Sequence, residues 1–173
     1  ARAMSRPDRA APPPPEFPRP VRVAGLNPAG ERVEAVAGPE EREALARRYG
    51  VPAVPRLSVT ARIAPDAGGW RVEGVARARV VQRCVVSLTE VAQDLEEPFA
   101  RRFLPGAPAP DLADLDPDEA EDPPEPLGAV LDPGEMAAEA VALAIDPYPR
   151  ASGAVFEGRE SAPEGATPGA ARP

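Results

Sequence analysis

The sequence predicts an α+β domain, mainly antiparallel sheet with two helices, flanked by disordered tails. Three observations carry that expectation. From Trp70 to Leu88 the even positions are almost all apolar and the odd ones rich in arginine, the period-two signature of a half-buried strand. Two segments carry helix start and stop signals. The 26 prolines and 14 glycines collect at the two ends and in one internal segment, so only the middle of the chain can pack throughout. Hydrophobic residues make up 43% and aromatics 4%, which leaves a core of Ala, Val and Leu. The expected division is a proline-rich arm over 1–20, a domain over 21–156 with an acidic, proline-rich loop at 105–130, and a polar tail over 157–173.

Within the domain, VRVAGL and RVEAVAG read as two short strands around the turn Asn27-Pro28-Ala29-Gly30. PEEREALARRYG follows as a helix. Glu40 and Glu41 suit its positive end, Arg47 and Arg48 its negative end, and Gly50 the left-handed cap. In LSVTARIA, the alternation of Leu57, Val59, Ala61 and Ile63 predicts the next strand. Gly74 marks a bend or bulge within the long strand 70–88. Val91, Leu95, Phe99 and Phe103 suggest one or two further strands interrupted near Pro98. Asp132, Pro133 and Glu135 open a second helix as cap, first position and capping-box partner, and the helix stops near Asp146-Pro147.

The candidate sites are few. No histidine occurs, which removes the commonest general base and metal ligand, and a single cysteine excludes an internal disulfide. Cys84 falls in step with Val80 and Val86 on the apolar face, the place of a small core residue rather than a nucleophile. Asp114, Asp116, Asp118 and Glu125 have the spacing of calcium-loop ligands. Glu119 stands where that loop needs glycine, however, so the segment reads as an acidic solubilising loop. Glu135 and Glu139 lie one turn apart on the polar face of the second helix, a solvated stripe. No phosphate-binding, dinucleotide or nucleophile-elbow motif is present, so no enzyme, cofactor or metal is expected.

Net charge is −8 but uneven: residues 1–104 carry 17 Arg against 13 acids, and residues 105–173 carry 3 Arg against 15 acids. A local anion-binding face is compatible with such a distribution. Arg77, Arg79 and Arg83, with Arg71 further along, share the polar face of the long strand, about 7 Å apart at alternate positions. They read either as an RNA-binding face or as a solvated face paired with Glu31, Glu34 or Glu90. No aromatic residue interleaves to stack bases. No apolar run is long enough for a membrane span. The first 20 residues lack the apolar segment of a secretory signal, and the expected location is the cytoplasm.

The succession RVEGVARARVVQRCVVSL, EEPFARRFLP, AEDPPEPL, LDPGEMAAEAVALAIDPYPR and GAVF resembles the YceD family in its alphaproteobacterial form, over about residues 20–156. The resemblance implies a cytoplasmic, non-enzymatic factor that supports accumulation of large-subunit (23S) ribosomal RNA. Its expected partner is that RNA or a pre-ribosomal particle. An adaptor whose acidic loop binds a basic ribosomal protein or an RNA-processing enzyme is the alternative. Other branches carry Cys-x-x-Cys, suggestive of zinc, at this strand. Here Val81 takes the first position, which implies no metal and leaves Cys84 to packing. Ser152 stands where the family pattern would lead one to expect proline, a minor departure.

Overall fold

The computed structural model describes residues 14–109 and 122–155. Its elements are β1 (Val21–Arg22), a short 3-10 turn (Val23–Gly25), β2 (Glu31–Val36), α1 (Pro39–Tyr49), β3 (Ala53–Asp66), β4 (Gly69–Arg83), β5 (Glu90–Leu104), β6 (Glu125–Pro126), β7 (Val130–Leu131) and α2 (Pro133–Ala144). Five strands form one sheet in the order β2-β3-β4-β5-β6, antiparallel except for the short parallel β5–β6 contact. β1 pairs with β7 as a separate two-stranded ribbon. The α+β expectation matches this architecture.

Alternation decides which face of the sheet is buried. Leu57, Val59, Ala61 and Ile63 of β3 join Val72, Ala76, Ala78 and Val80 of β4 and Leu95 of β5 on the inner face, all in the core. Leu45 and Ala46 of α1 and Ala137, Ala138 and Val141 of α2 pack onto the same core. Ile63, Val72 and Phe103 continue it under Leu26, Leu131 and Met136. The small size of Ala76, Ala78, Ala137 and Ala138 lets α2 lie close to β4. Tyr49 ties the helices together by donating its hydroxyl to the Ala138 carbonyl at 2.8 Å.

Both helices begin and end as the sequence indicates. Gly50 closes α1 in the left-handed region at φ 66°, and Asp132 caps α2 by accepting from the Glu135 amide at 3.0 Å. Glu135 does not complete a capping box. Its carboxylate pairs instead with Arg48, which also holds Glu16. Glu139 pairs with Arg101 of β5, so the two glutamates anchor α2 to its neighbours rather than forming a free solvated stripe. Leu143 is 88% exposed, because the stripe of α2 that meets the core runs through Ala137, Ala138, Val141 and Ala144 and Leu143 lies on the far side of the helix.

Several boundaries differ from the sequence reading, each for a physical reason. VRVAGL is not a strand partner of β2: after two residues it turns, and Val21 pairs with Leu131. β5 runs unbroken through Pro98, because that position lies on the strand next to the sheet margin, where proline is tolerated. Gly74 makes no bulge; a Cβ there would lie 2.6 Å from the Thr60 carbonyl oxygen, so the glycine permits close approach of β3 and β4. The register shift falls between Ala53 and Arg56 instead. Residues 14–20, expected within a disordered arm, pack: Phe17 is fully buried and the Arg19 amide donates to Asp132 at 2.8 Å. Residues 1–13, most of the acidic loop (with Asp114, Asp116 and Asp118) and the tail from Phe156 lie outside the described residues.

Candidate nucleic-acid interface

The helices and the β1–β7 ribbon cover one face of the five-stranded sheet, and among the described residues no element covers the opposite, open face. Odd positions of β4 point to it, so Arg71, Arg77, Arg79 and Arg83 stand where their alternation with Val72, Ala76, Ala78 and Val80 puts them. Arg77, Arg79 and Arg83 are all exposed. They do not meet the carboxylates of β2. Arg77 pairs with Glu96 at 3.0 Å and Arg79 with Asp94 at 2.6 Å, their direct neighbours on β5. Glu34 is engaged by Arg32 on its own strand. Glu90 faces Arg83 in register.

Four arginines of this face escaped the sequence reading: Arg32 of β2, Arg102 of β5 and two of β3. Arg56 and Arg62 lie on β3, at polar positions alternating with Leu57 and Ile63. The signal was present in RLSVTAR, but only the register of the sheet brings those residues beside the β4 arginines. Among the described residues, Arg56, Arg62 and Arg83 have no carboxylate in ion-pair contact. The pairing places Arg56 opposite Arg79, Arg32 opposite Arg62 and Arg71 opposite Arg102. Like charges directly opposed across strands destabilise a sheet. Nearby acids, including Glu73 beside Arg71 and Asp66 beside Arg102, offset part of that repulsion.

Between these charged pairs the open face sinks into a trough of about 880 Å³. Its floor is made of Thr60, Val75, Pro98 and Ala100, all short, and Arg32, Arg62 and Glu73 rise at one end. Trp70, Phe99 and Phe103 have the parity of the inner face and pack against the core there, and of the three only Phe99 also lines the trough.

Cys84 belongs to a different structure from the one its sequence position suggests. β4 ends at Arg83, and Cys84 opens a turn in which its amide donates to the Thr89 carbonyl at 2.8 Å and its carbonyl accepts from Leu88 at 3.0 Å. Residues 84–88 are therefore not strand, and Val86 does not continue the apolar face of β4. The cysteine is nonetheless fully buried. Its Sγ accepts backbone N–H groups from Ala151 at 3.3 Å, Ser87 at 3.3 Å and Val86 at 3.4 Å. These donors, Ala151 foremost, pull the thiol pKa down to about 6 against the opposing effect of burial. The sulfur thus fastens the 84–88 turn to the loop after α2, where Val85 also donates to the Pro149 carbonyl at 2.9 Å. Among the described residues no three carboxylates or thiolates gather as a metal site.

No helix of the described residues is long and apolar enough to cross a membrane. A family model described as large ribosomal RNA subunit accumulation protein YceD matches residues 72–170. Neither a curated protein nor a solved structure matches the chain.

Proposed function

The chain belongs to the YceD family of large ribosomal RNA subunit accumulation proteins, and from that membership we propose that it supports accumulation of large-subunit ribosomal RNA by binding that RNA or a pre-ribosomal particle in the cytoplasm. The binding face is the open face of the sheet. Arg77, Arg79 and Arg83 act there together with Arg56 and Arg62. The observation that carries this reading is the set of three arginine pairs opposed in register on a face that none of the described elements covers. A phosphate placed between two such guanidinium groups accepts charge-assisted hydrogen bonds from both and turns a repulsion into a contact. The activity is binding, with no chemical step.

The test uses the two arginines of this face that lack an ion-pair partner at its far end. Arg56→Glu with Arg83→Glu leaves the Arg77–Glu96 and Arg79–Asp94 pairs intact, so the fold is expected to persist. Binding to large-subunit ribosomal RNA should weaken, and its dependence on salt should flatten by about two in logarithmic slope. A folded double variant that binds RNA like the parent and restores ribosomal RNA levels in a deletion strain would overturn the reading. One feature favours a second function, an adaptor for a basic protein. β5 pairs with β6 only at Phe103 and Leu104, and Glu90, Asp94, Glu96 and Glu97 lie along the remainder of that margin. Capture of a basic ribosomal protein by a chain that binds no RNA would favour it.

A further inference from the structure

We propose that the open face is built for double-helical RNA and not for a single strand. This inference rests on the RNA-contact reading and specifies its ligand. Three features of the face point to it.

The first is the placement of the arginine pairs. Arg56 with Arg79 lies beyond one end of the trough, past the row of Ser58, Arg77 and Glu96. Arg32 with Arg62 lines the trough towards its other end, and Arg71 with Arg102 follows one row further. Arg56 and Arg62 are six residues apart on β3, so the two clusters are separated by about 20 Å. Consecutive phosphates of one strand lie much closer than that. Two separated clusters suit two backbones that run past each other, as on either side of a groove. The second feature is the floor. Thr60, Val75, Pro98 and Ala100 form a concave surface, and Phe99, the aromatic residue that also lines it, has the parity of the inner face and packs on the core. Sequence-tolerant binding of single strands depends on a series of aromatic rings on which successive bases stack, and one core-packed phenylalanine does not supply it.

The third feature is shape. The minor groove of A-form RNA is wide and shallow, and proteins recognise it by form, 2′-hydroxyl and phosphate contacts. A broad concave trough can receive that rounded surface, with the Thr60 hydroxyl on the floor within the reach of ribose. Across the narrow minor groove of B-form DNA the two backbones lie closer together than the two arginine clusters.

Fluorescence anisotropy on the full chain with three labelled ligands tests the inference: an RNA duplex of about 16 base pairs, one strand of it with its self-complementarity removed, and the DNA duplex of the same sequence. The RNA duplex should bind at least about tenfold more tightly than either alternative at the same salt. Arg32→Ala with Arg62→Ala, and separately Arg56→Ala with Arg79→Ala, should each lower the salt slope for the duplex by about two. Circular dichroism checks that each variant is folded, and the comparison of ligands on the unaltered chain stands without the variants. Equal or tighter binding of the single strand overturns the duplex inference while leaving RNA contact in place. Binding of DNA and RNA duplexes alike overturns the A-form match. Failure to bind any of the three overturns both this inference and the RNA-contact reading.

Discussion

Cys84 shows how a residue can meet its expected role by an unexpected route. It is buried as a small core residue would be, but its sulfur is an acceptor for three backbone N–H groups rather than one more methyl in a strand. Those donors favour the thiolate, and the folded-state pKa near 6 lies below the unfolded value of about 8.5. Linkage then fixes the sign of the pH dependence. The contribution of the thiolate is fully present above about pH 8.5 and is lost as pH falls through 6. Urea midpoints of the parent and of Cys84→Ala should therefore diverge as pH rises from 6 to 8.5. A difference between them that stays constant across that window would show that the sulfur only fills space.

At the level of elements, the junction of residues 14–20 with the start of α2 sets the entrance of the chain. Asp132 accepts both the Glu135 amide and the Arg19 amide, so one carboxylate caps a helix and fixes an extended segment. Gly134 makes this possible, because a Cβ there would lie 2.1 Å from the Phe17 carbonyl oxygen. Backbone has little room to yield, so Gly134→Ala should lift the segment from the helix. Exchange of the Arg19 amide proton should accelerate by more than about tenfold, the opening energy of a local segment being small once its contacts are lost. Unchanged protection at Arg19 would mean that the helix, not the segment, gives way. The same reasoning applies to Asp132→Ala, expected to cost about 1–2 kcal/mol as caps of this kind do, read by chemical denaturation.

For the molecule as a whole, the described helices and ribbon cover one side of the sheet, and its stability depends on how completely that side is sealed. Phe17 belongs to the principal core cluster, Arg19 stacks over its ring at 4.2 Å and pairs with Glu41, and Glu16 reaches Arg48. The folded unit thus begins upstream of Val21. A chain starting at residue 21 should lose at least about 3 kcal/mol, since removal of a buried phenylalanine alone costs that much. A chain starting at residue 14 should match the full chain in denaturant midpoint. Equal stability of the two truncations would place Phe17 outside the working core. The other side carries the arginine pairs.

Local pattern in the sequence determined a good deal: the period-two run of β4, the cap residues of both helices, the alternation of β3 and the face on which Arg77, Arg79 and Arg83 stand. Each depends on neighbours within a few positions, where propensity and alternation act directly. Its local pattern also shows that the chain lacks the histidines and paired cysteines of common catalytic and metal sites. Tertiary structure decided what depends on distant residues. Register across strands chose Glu96 and Asp94, not Glu31 or Glu34, as the partners of Arg77 and Arg79, and set Arg56 against Arg79 and Arg32 against Arg62. Long-range contacts took Phe17 into the core across more than a hundred residues of chain, and after β4 ends at Arg83 the Cys84 sulfur accepts from Val86 and Ser87 of its own turn and from Ala151 of the loop after α2. Alternation says which face a side chain joins, but only the folded sheet says whose side chain stands beside it.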